Sequence, residues 1–410
     1  AANTAAVNGM KVLLIEKMEK PARKVRITGK GRCNITNTKT IDEFLKKVYP
    51  NSRFLKSALK NFSNTDLIKF INDIGVPTVV ERGDRVFPVS QKAWDIANAL
   101  VKEAGHNGVE IICHTTVTDR KVVDKHIQYV VCKTAGGDKK INAKSVIIAT
   151  GGLSYPATGS TGDGYKFAGE LGHTVTYLRP SLTAVETDKP DIRLNKLELK
   201  NVELSVWIDG NCKDKEFGEM MFTDFGVDGA IVLRMSRTIV DAIIANKKVN
   251  LVLNLKPALS TQQLNNRIER EIQELPANAH INVLLAKLLP QQLILPFIDK
   301  MSLSATKSIS KLTDNDKKRI TEGLKYYKMQ ATGYRPFTEA IITAGGVALN
   351  EISPKTMQSK IIENLFFAGE LIDLDADTGG YNLQIAFSTG YLAGLSAARY
   401  IKSNSIQNQE

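Results

Sequence analysis

The residues that could do chemistry in this sequence are acids, hydroxyls and bare main-chain amides gathered at glycine turns, not histidines or paired cysteines. Near the C-terminus Leu365-Phe366-Phe367-Ala368 runs into Gly369 and Glu370, and a short acidic stretch leads to Thr378-Gly379-Gly380-Tyr381-Asn382-Leu383. Glycine at the end of an apolar run lets backbone approach a ligand closely, and Glu370 adds a carboxylate at that spot. Beyond Gly380 the apolar residues have helical spacing, so the turn opens a helix. Free N–H groups at such an end carry partial positive charge and suit an electron-rich group. Ser145 to Ala149 enters Thr150-Gly151-Gly152 in the same manner, and Ala340 to Ala344 enters Gly345-Gly346.

At the other end of the chain, Lys11 to Lys17 is an apolar strand carrying Glu16 near its end. An acid there, after a helix and a glycine, matches the second half of a βαβ unit, where it accepts hydrogen bonds from a ribose hydroxyl. The matching glycine fingerprint belongs roughly 20 residues earlier. That position precedes Ala1, so the sequence as given is expected to lack the first strand and its phosphate loop.

From Pro21 to Asn37 small, polar and cationic residues crowd together in what reads as a phosphate-contacting loop. Gly29 and Gly31 can turn N–H groups toward an anion, Arg23, Lys24, Lys30 and Arg32 supply charge, and Thr28 and Asn34 supply neutral hydrogen bonds. Cys33 has no partner cysteine nearby and reads as a packing or cofactor-contact residue. On the substrate side the candidates are Tyr155, Arg335 and Tyr381. The tyrosines donate protons or stack, and Arg335 clamps an anion or forms a structural salt bridge. None of the five histidines lies in a glycine motif, so no general base and no metal site is assigned.

The elements that must position these residues follow from length and pattern. A chain of 410 residues exceeds one core and implies two or three domains. Hydrophobic content of 43% and charged content of 24% are those of a globular protein. No apolar run reaches membrane-spanning length and no secretory signal opens the chain, so a cytoplasmic protein with reduced thiols is expected. The net charge of +12 raises nucleic acid as a partner. Its lysines are dispersed, without an aromatic-interleaved basic motif, which favours solvated faces and attraction to small anions.

Helical patterns cover Ile41 to Val48, Asn51 to Phe62, Thr65 to Ile74 and Gln91 to Ala104, with a hairpin at Thr78 to Pro88. Strands are expected at Asn107 to Val117, Ile127 to Lys133 and Ile141 to Ala149, and a helix from Tyr165 to Leu171. From Leu182 to Leu255 alternation predicts antiparallel strands around a Gly229 to Ala245 helix. From Thr261 to Gly323 the character is helical, including Ser304 to Leu312. Ser403 to Glu410 is a polar tail expected to fray.

Taken together, Gly29 to Asn37, Gly151 to Gly164, Thr343 to Val347 and Gly369 to Asn382 resemble a family of bacterial FAD-dependent flavoproteins, the aminoacetone-oxidase-like or NAD(P)/FAD-dependent oxidoreductases. Some members are assigned to bile-acid reduction, and the family is distantly related to the flavoprotein subunits of fumarate reductase and succinate dehydrogenase. The resemblance covers nearly the whole chain. It implies an α/β fold: a Rossmann-like FAD-binding domain of glutathione-reductase type from 1–181 and 336–410, an inserted antiparallel β domain at 182–258 and a helical subdomain at 259–335. It implies that Glu16 and Lys17 meet the adenosine ribose and that Arg23, Lys24, Thr28, Gly31, Arg32, Cys33 and Asn34 lie along FAD. Val117 meets the adenine through its backbone, Ala149, Thr150 and Gly151 flank the cofactor, and Gly369 and Glu370 reach ribityl or phosphate groups. Gly380, Tyr381, Asn382 and Leu383 sit beside the flavin ring.

The function so implied is hydride transfer between flavin and a small organic substrate, with NAD(P)H as a transient donor or oxygen as acceptor. An RNA-modifying flavoprotein and a cofactor-free scaffold are the alternatives.

Overall fold

The computed structural model describes residues 1–407. The chain divides into two compact units, one of residues 1–179 with everything from Ile341 onward, the other of Pro180–Ala340.

The first unit carries the glycine turns. Its Leu13–Ile15 strand pairs in parallel with Glu110–Ile112, and Val146–Ile148 pairs in parallel with Leu365–Phe367. Leu365, Phe366 and Phe367 are fully buried, as a strand covered on both faces requires. The helix Tyr381–Gln407 follows the last glycine turn and runs 27 residues. Its small residues allow close packing: Ala393, Ala397 and Ala398 are buried, and the Ala2–Val7 helix lies against it. An antiparallel meander of Thr116–Val123, His126–Thr134 and Gly137–Asn142 completes the ordered strands around Val117.

The second unit is a closed six-stranded antiparallel barrel with helices around it. Glu198–Ile208 shows why these residues close a sheet: Leu204, Val206 and Ile208 point inward and are buried, while Glu203, Ser205 and Trp207 alternate outward. The Ala230–Ile244 helix buries Ile231, Val232, Met235 and Ile239 in the core formed by the barrel strands. The segments expected as separate β-rich and helical regions share this one core, since Leu264, Ile281, Leu293 and Phe297 join the same cluster as Leu204 and Leu251.

Several local expectations are corrected. The stretch read as one strand from Asn107 to Val117 is two, separated at His114, whose φ of 51° breaks extended backbone. Alternation hid the full length of Glu198–Ile208 because the register shifts between Leu199 and Val202. Tyr327–Tyr334, a barrel strand, went unpredicted because its inward face, Tyr327, Met329, Ala331 and Gly333, ends in small residues that give a weak apolar alternation. Ser304 to Leu312 forms only a short 3-10 turn, Ile309–Lys311. Arg23–Ile27 is a helical turn inside the segment expected as loop. Of the tail expected to fray, Ser403–Gln407 continues the C-terminal helix, and 408–410 lie outside the described residues.

One buried polar network makes the first unit sensitive to acid. The His173 ring packs edge-on to Phe367 at 4.8 Å, its Nε2 lies 2.8 Å from Ser359 Oγ, and its Nδ1 faces Glu351 Oε2 at 3.2 Å. Ser359 Oγ also accepts the N–H groups of Ile361 and Ile362, so the hydroxyl proton goes to Nε2 and the imidazole is neutral. Burial holds His173 below its ordinary pKa of 6.5, outweighing the opposite pull of Glu351. The unfolded chain therefore binds this proton more readily than the folded one, and stability is full above about pH 6.5 and falls below it. Thermal unfolding of the wild-type protein between about pH 7.5 and about pH 5.5 should show a declining Tm, and His173→Gln should flatten the decline. Equal pH dependence in the two proteins would remove His173 as the cause.

Candidate functional site

The site builds outward from Glu370. Its Oε2 lies 2.6 Å from Lys24 Nζ, and its Oε1 accepts the Thr343 N–H at 2.8 Å. Lys24 comes from the Arg23–Ile27 turn, Thr343 from the Ile342–Ala344 strand, and Glu370 from the turn after Leu365–Phe367. The Thr343 hydroxyl in turn accepts the Leu153 N–H at 2.8 Å and the Ser154 N–H at 3.2 Å. Gly152 fits between them without a side chain, since a Cβ there would lie 2.5 Å from Thr343 Oγ1 and 3.0 Å from Glu370 Oε1. Segments far apart in sequence thus meet around one carboxylate.

A second junction fixes the start of the C-terminal helix. The Asn34 amide donates to Val86 O at 3.2 Å and Thr36 O at 2.9 Å and accepts the Gly380 N–H at 3.0 Å. Asn37 Nδ2 donates to Gly379 O at 3.0 Å, and Asn64 Nδ2 donates to the Asn37 and Lys39 carbonyls. Gly380 crosses the Thr36 main chain so closely that a Cβ would lie 2.5 Å from the Thr36 carbonyl, and its φ is 85°. The first N–H bonding back along the helix is that of Gln384, to Gly380 O. The N–H groups of Tyr381, Asn382 and Leu383 therefore stand outside the helical ladder at its positive end.

The Glu16 strand end meets the loop after the Thr150-Gly151 turn. Glu16 accepts the Met18 N–H at 2.9 Å, and Lys17 Nζ binds Asp163 at 2.7 Å and also Thr161. A Cβ at Gly159 would touch Met18, and one at Gly151 would come within 3.1 Å of Ser160 Oγ. The Asp163–Glu170 helix packs back on the same turn through Gly164, whose missing side chain leaves room for Thr150 and Leu371. Gly369 donates its N–H to Thr389 of the C-terminal helix, which anchors the Glu370 turn from behind. The 151–164 segment thus touches Lys17 and Met18, next to Glu16, at one end and Thr150, Thr343 and Glu370 at the other.

Other candidates are placed differently. Arg23 pairs with Glu19, and Arg32 pairs with Glu81, binds Gln91 at 2.6 Å and stacks 4.3 Å over Phe87. Both charges are thus paired with acids of the same unit. Thr28 turns its hydroxyl to Val25 O. Cys33 is fully buried and burial pushes its thiol up to about 11, so it packs as a neutral hydrophobe. Val117 sits in the meander opposite Cys132, at an irregularity in the ladder. Gly31 has φ of 85° and open space where a Cβ would point.

Of the substrate-side candidates, Tyr381 is buried with its ring 4.8 Å from Phe44, and burial raises its phenol pKa. Asn382 clamps the Ala376 backbone with paired bonds of 2.9 and 2.8 Å, and Leu383 packs on the Cys33 cluster. These two offer main chain, not side chains, to a ligand. Arg335 lies in the second unit, bonded to Glu339 at 2.9 and 2.6 Å and to Glu186 at 2.9 Å over the Phe225 ring. It is a structural salt bridge there. Tyr155 occupies a left-handed backbone position of φ 53° and is half-buried. Residue-by-residue reading missed Thr343, Gly152 and Asn37 as site-building groups. All three lie within the glycine motifs, but nothing local marks a threonine or asparagine there as a hydrogen-bond hub.

Residues 1–396 match the family described as HI0933-like protein Rossmann domain. A 3-dehydro-bile acid delta(4,6)-reductase of Clostridium scindens is 27% identical over 387 residues, covering 94% of this chain and 92% of the relative. A ribosomal RNA dihydrouridine synthase of Haemophilus influenzae is 28% identical over 400 residues, covering 95% and 93%. The 3-ketosteroid delta1-dehydrogenase of Sterolibacterium denitrificans superposes with a TM-score of 0.53 at 12% identity over 97% of this chain and 96% of that one, a likeness of fold.

The crossing at Gly380 yields a direct test. Gly380→Ala must both adopt positive φ and displace the Thr36 backbone, at a cost of at least about 2 kcal/mol. Chemical denaturation should show that loss together with weakened FAD retention, and a variant of wild-type stability would show that the crossing relaxes freely.

Proposed function

Because the chain belongs to the HI0933-like Rossmann family and is an FAD-dependent oxidoreductase, we propose that it reduces a carbon–carbon double bond conjugated to a carbonyl group. One observation carries this reading: two full-length relatives with unlike substrates are named for that same bond chemistry. A 3-oxo steroid with double bonds at positions 4 and 6 is a conjugated dienone, and dihydrouridine is uridine whose ring double bond, conjugated to a carbonyl, has gained two hydrogens.

The donor set of the first unit fits FAD. Glu16 and Glu370 offer carboxylates for sugar and ribityl hydroxyls, the Thr150-Gly151 turn offers main chain, and the helix start at Tyr381–Leu383 offers N–H groups to an electron-rich ring edge. When bound, FAD supplies the hydride, taken from a nicotinamide donor and passed to the β-carbon of the substrate. The protein adds electrostatics and placement. Positive N–H groups held by Asn34 and the Thr36 crossing favour negative charge at the ring edge, and Lys24 and Thr343 keep the Glu370 carboxylate turned to its task. The α-carbon requires a proton; with Arg335 spent on Glu186 and Glu339 and the Tyr381 ring buried against Phe44, the half-buried Tyr155 of the 151–164 segment is the candidate donor. A small organic molecule is the first reading of the substrate. A uridine in RNA is the second, supported by the likeness to a ribosomal RNA dihydrouridine synthase over 95% of this chain.

Anaerobic protein reduced by NADH or NADPH should lose its oxidised-flavin absorbance, and a 4-en-3-one steroid or a uridine-rich RNA should restore it while gaining two hydrogens. Failure of every conjugated acceptor to restore the colour, with oxygen restoring it at once, would point to an oxidase and sink the proposal.

The Glu370 junction gives an independent test. Lys24→Met and Glu370→Gln should each weaken FAD binding by about tenfold, and the double variant should be no weaker than Glu370→Gln alone, because Lys24 acts through that carboxylate. Additive losses would show that Lys24 contacts FAD itself.

A further inference from the structure

We propose that the surface formed by Trp94, Lys20 and Arg26 is a docking site for single-stranded RNA. The proposal rests on the RNA reading of the substrate and adds where on the first unit the strand is held. Trp94 projects from the Ala93–His106 helix and is 51% exposed, although indole is the side chain that most repays burial. The Arg26 guanidinium lies 4.3 Å from its ring centroid and Lys20 Nζ 5.8 Å. Arg26 is itself only 8% exposed and is held by Asn98 Oδ1 at 2.8 Å, so its cation is fixed beside the indole.

The charge there is unspent. Within residues 20–32, Arg23 is paired with Glu19, Lys24 with Glu370 and Arg32 with Glu81. Lys20, Arg26 and Lys30 form no ion pair among the described residues, and Lys20 and Lys30 are exposed. The acids nearest in sequence are Glu19, already held by Arg23, and Asp95, next to Trp94 on the helix. An exposed indole flanked by unpaired cations gives a base a face to stack on and gives phosphates their counter-charge. The linear sequence lacks this aromatic–basic combination, and contact between the Arg23–Ile27 and Ala93–His106 helices creates it. The Arg26 turn leads directly into the 28–31 turn that borders the FAD-holding segments, so the surface adjoins the proposed site.

Full-length, FAD-loaded protein titrated with fluorescein-labelled oligouridylate over a salt series tests the surface. Retained flavin absorbance reports that the variants are folded. Wild-type affinity should fall steeply with salt. Trp94→Ala should weaken binding about tenfold, and Lys20→Glu should weaken it and flatten the log–log salt slope by about one. Both variants should reduce a small enone as the wild type does. Unchanged RNA affinity in both variants overturns the proposal, as does a loss confined to the KM for NADPH or an equal Trp94 dependence for polyglutamate. Trp94-dependent RNA binding without reduction of any acceptor would refute the reductive reading and leave the docking surface standing.

Discussion

The site depends on two stretches of main chain crossing at contact distance, Thr36 over Gly380. Everything that makes the C-terminal helix useful, its free N–H groups and positive end, requires that end to be held at a defined place. The crossing fixes it from one side, the Asn34 amide satisfies the Gly380 N–H, and Asn37 takes the Gly379 carbonyl. No side chain larger than hydrogen is compatible with that geometry. The glycine is there for the neighbouring chain at least as much as for a ligand.

The same logic holds at other glycine turns and refines what a glycine-rich pattern means. Gly346, read as an approach to a ligand, faces the backbone of Leu371 to Asp373, with a Cβ position 2.6 Å from the Leu371 carbonyl. Gly31, by contrast, faces open space. Such turns therefore divide into those that let the protein approach itself and those that leave room for something else.

Charge follows a parallel division. Among the cations near the 28–31 turn, Lys24 and Arg32 are neutralised by acids brought from elsewhere in the fold and Arg23 by its sequence neighbour Glu19, and Arg335 in the second unit is spent on Glu186 and Glu339. A partly buried guanidinium needs its partners nearby, so residues that look like anion clamps in sequence become structural ties once folded. Lys24 is both: it neutralises Glu370 and so holds that carboxylate in a defined orientation.

How much was legible beforehand follows from the range of the interactions involved. Apolar runs ending on glycine, the acid at Glu16, the helix after Gly380 and the alternation between Leu182 and Leu255 were readable because each is local, set by residues a few positions apart. They were enough to indicate a dinucleotide-binding α/β unit carrying an antiparallel insertion, and the resemblance of the glycine motifs to a flavoprotein family added FAD. The Tyr327–Tyr334 strand, the Thr343 hub, the capture of Arg32 by Glu81 and the placing of Trp94 beside Arg26 were not readable. Each depends on which distant segments meet, and that is decided by packing over the whole unit rather than by the pattern of any one stretch.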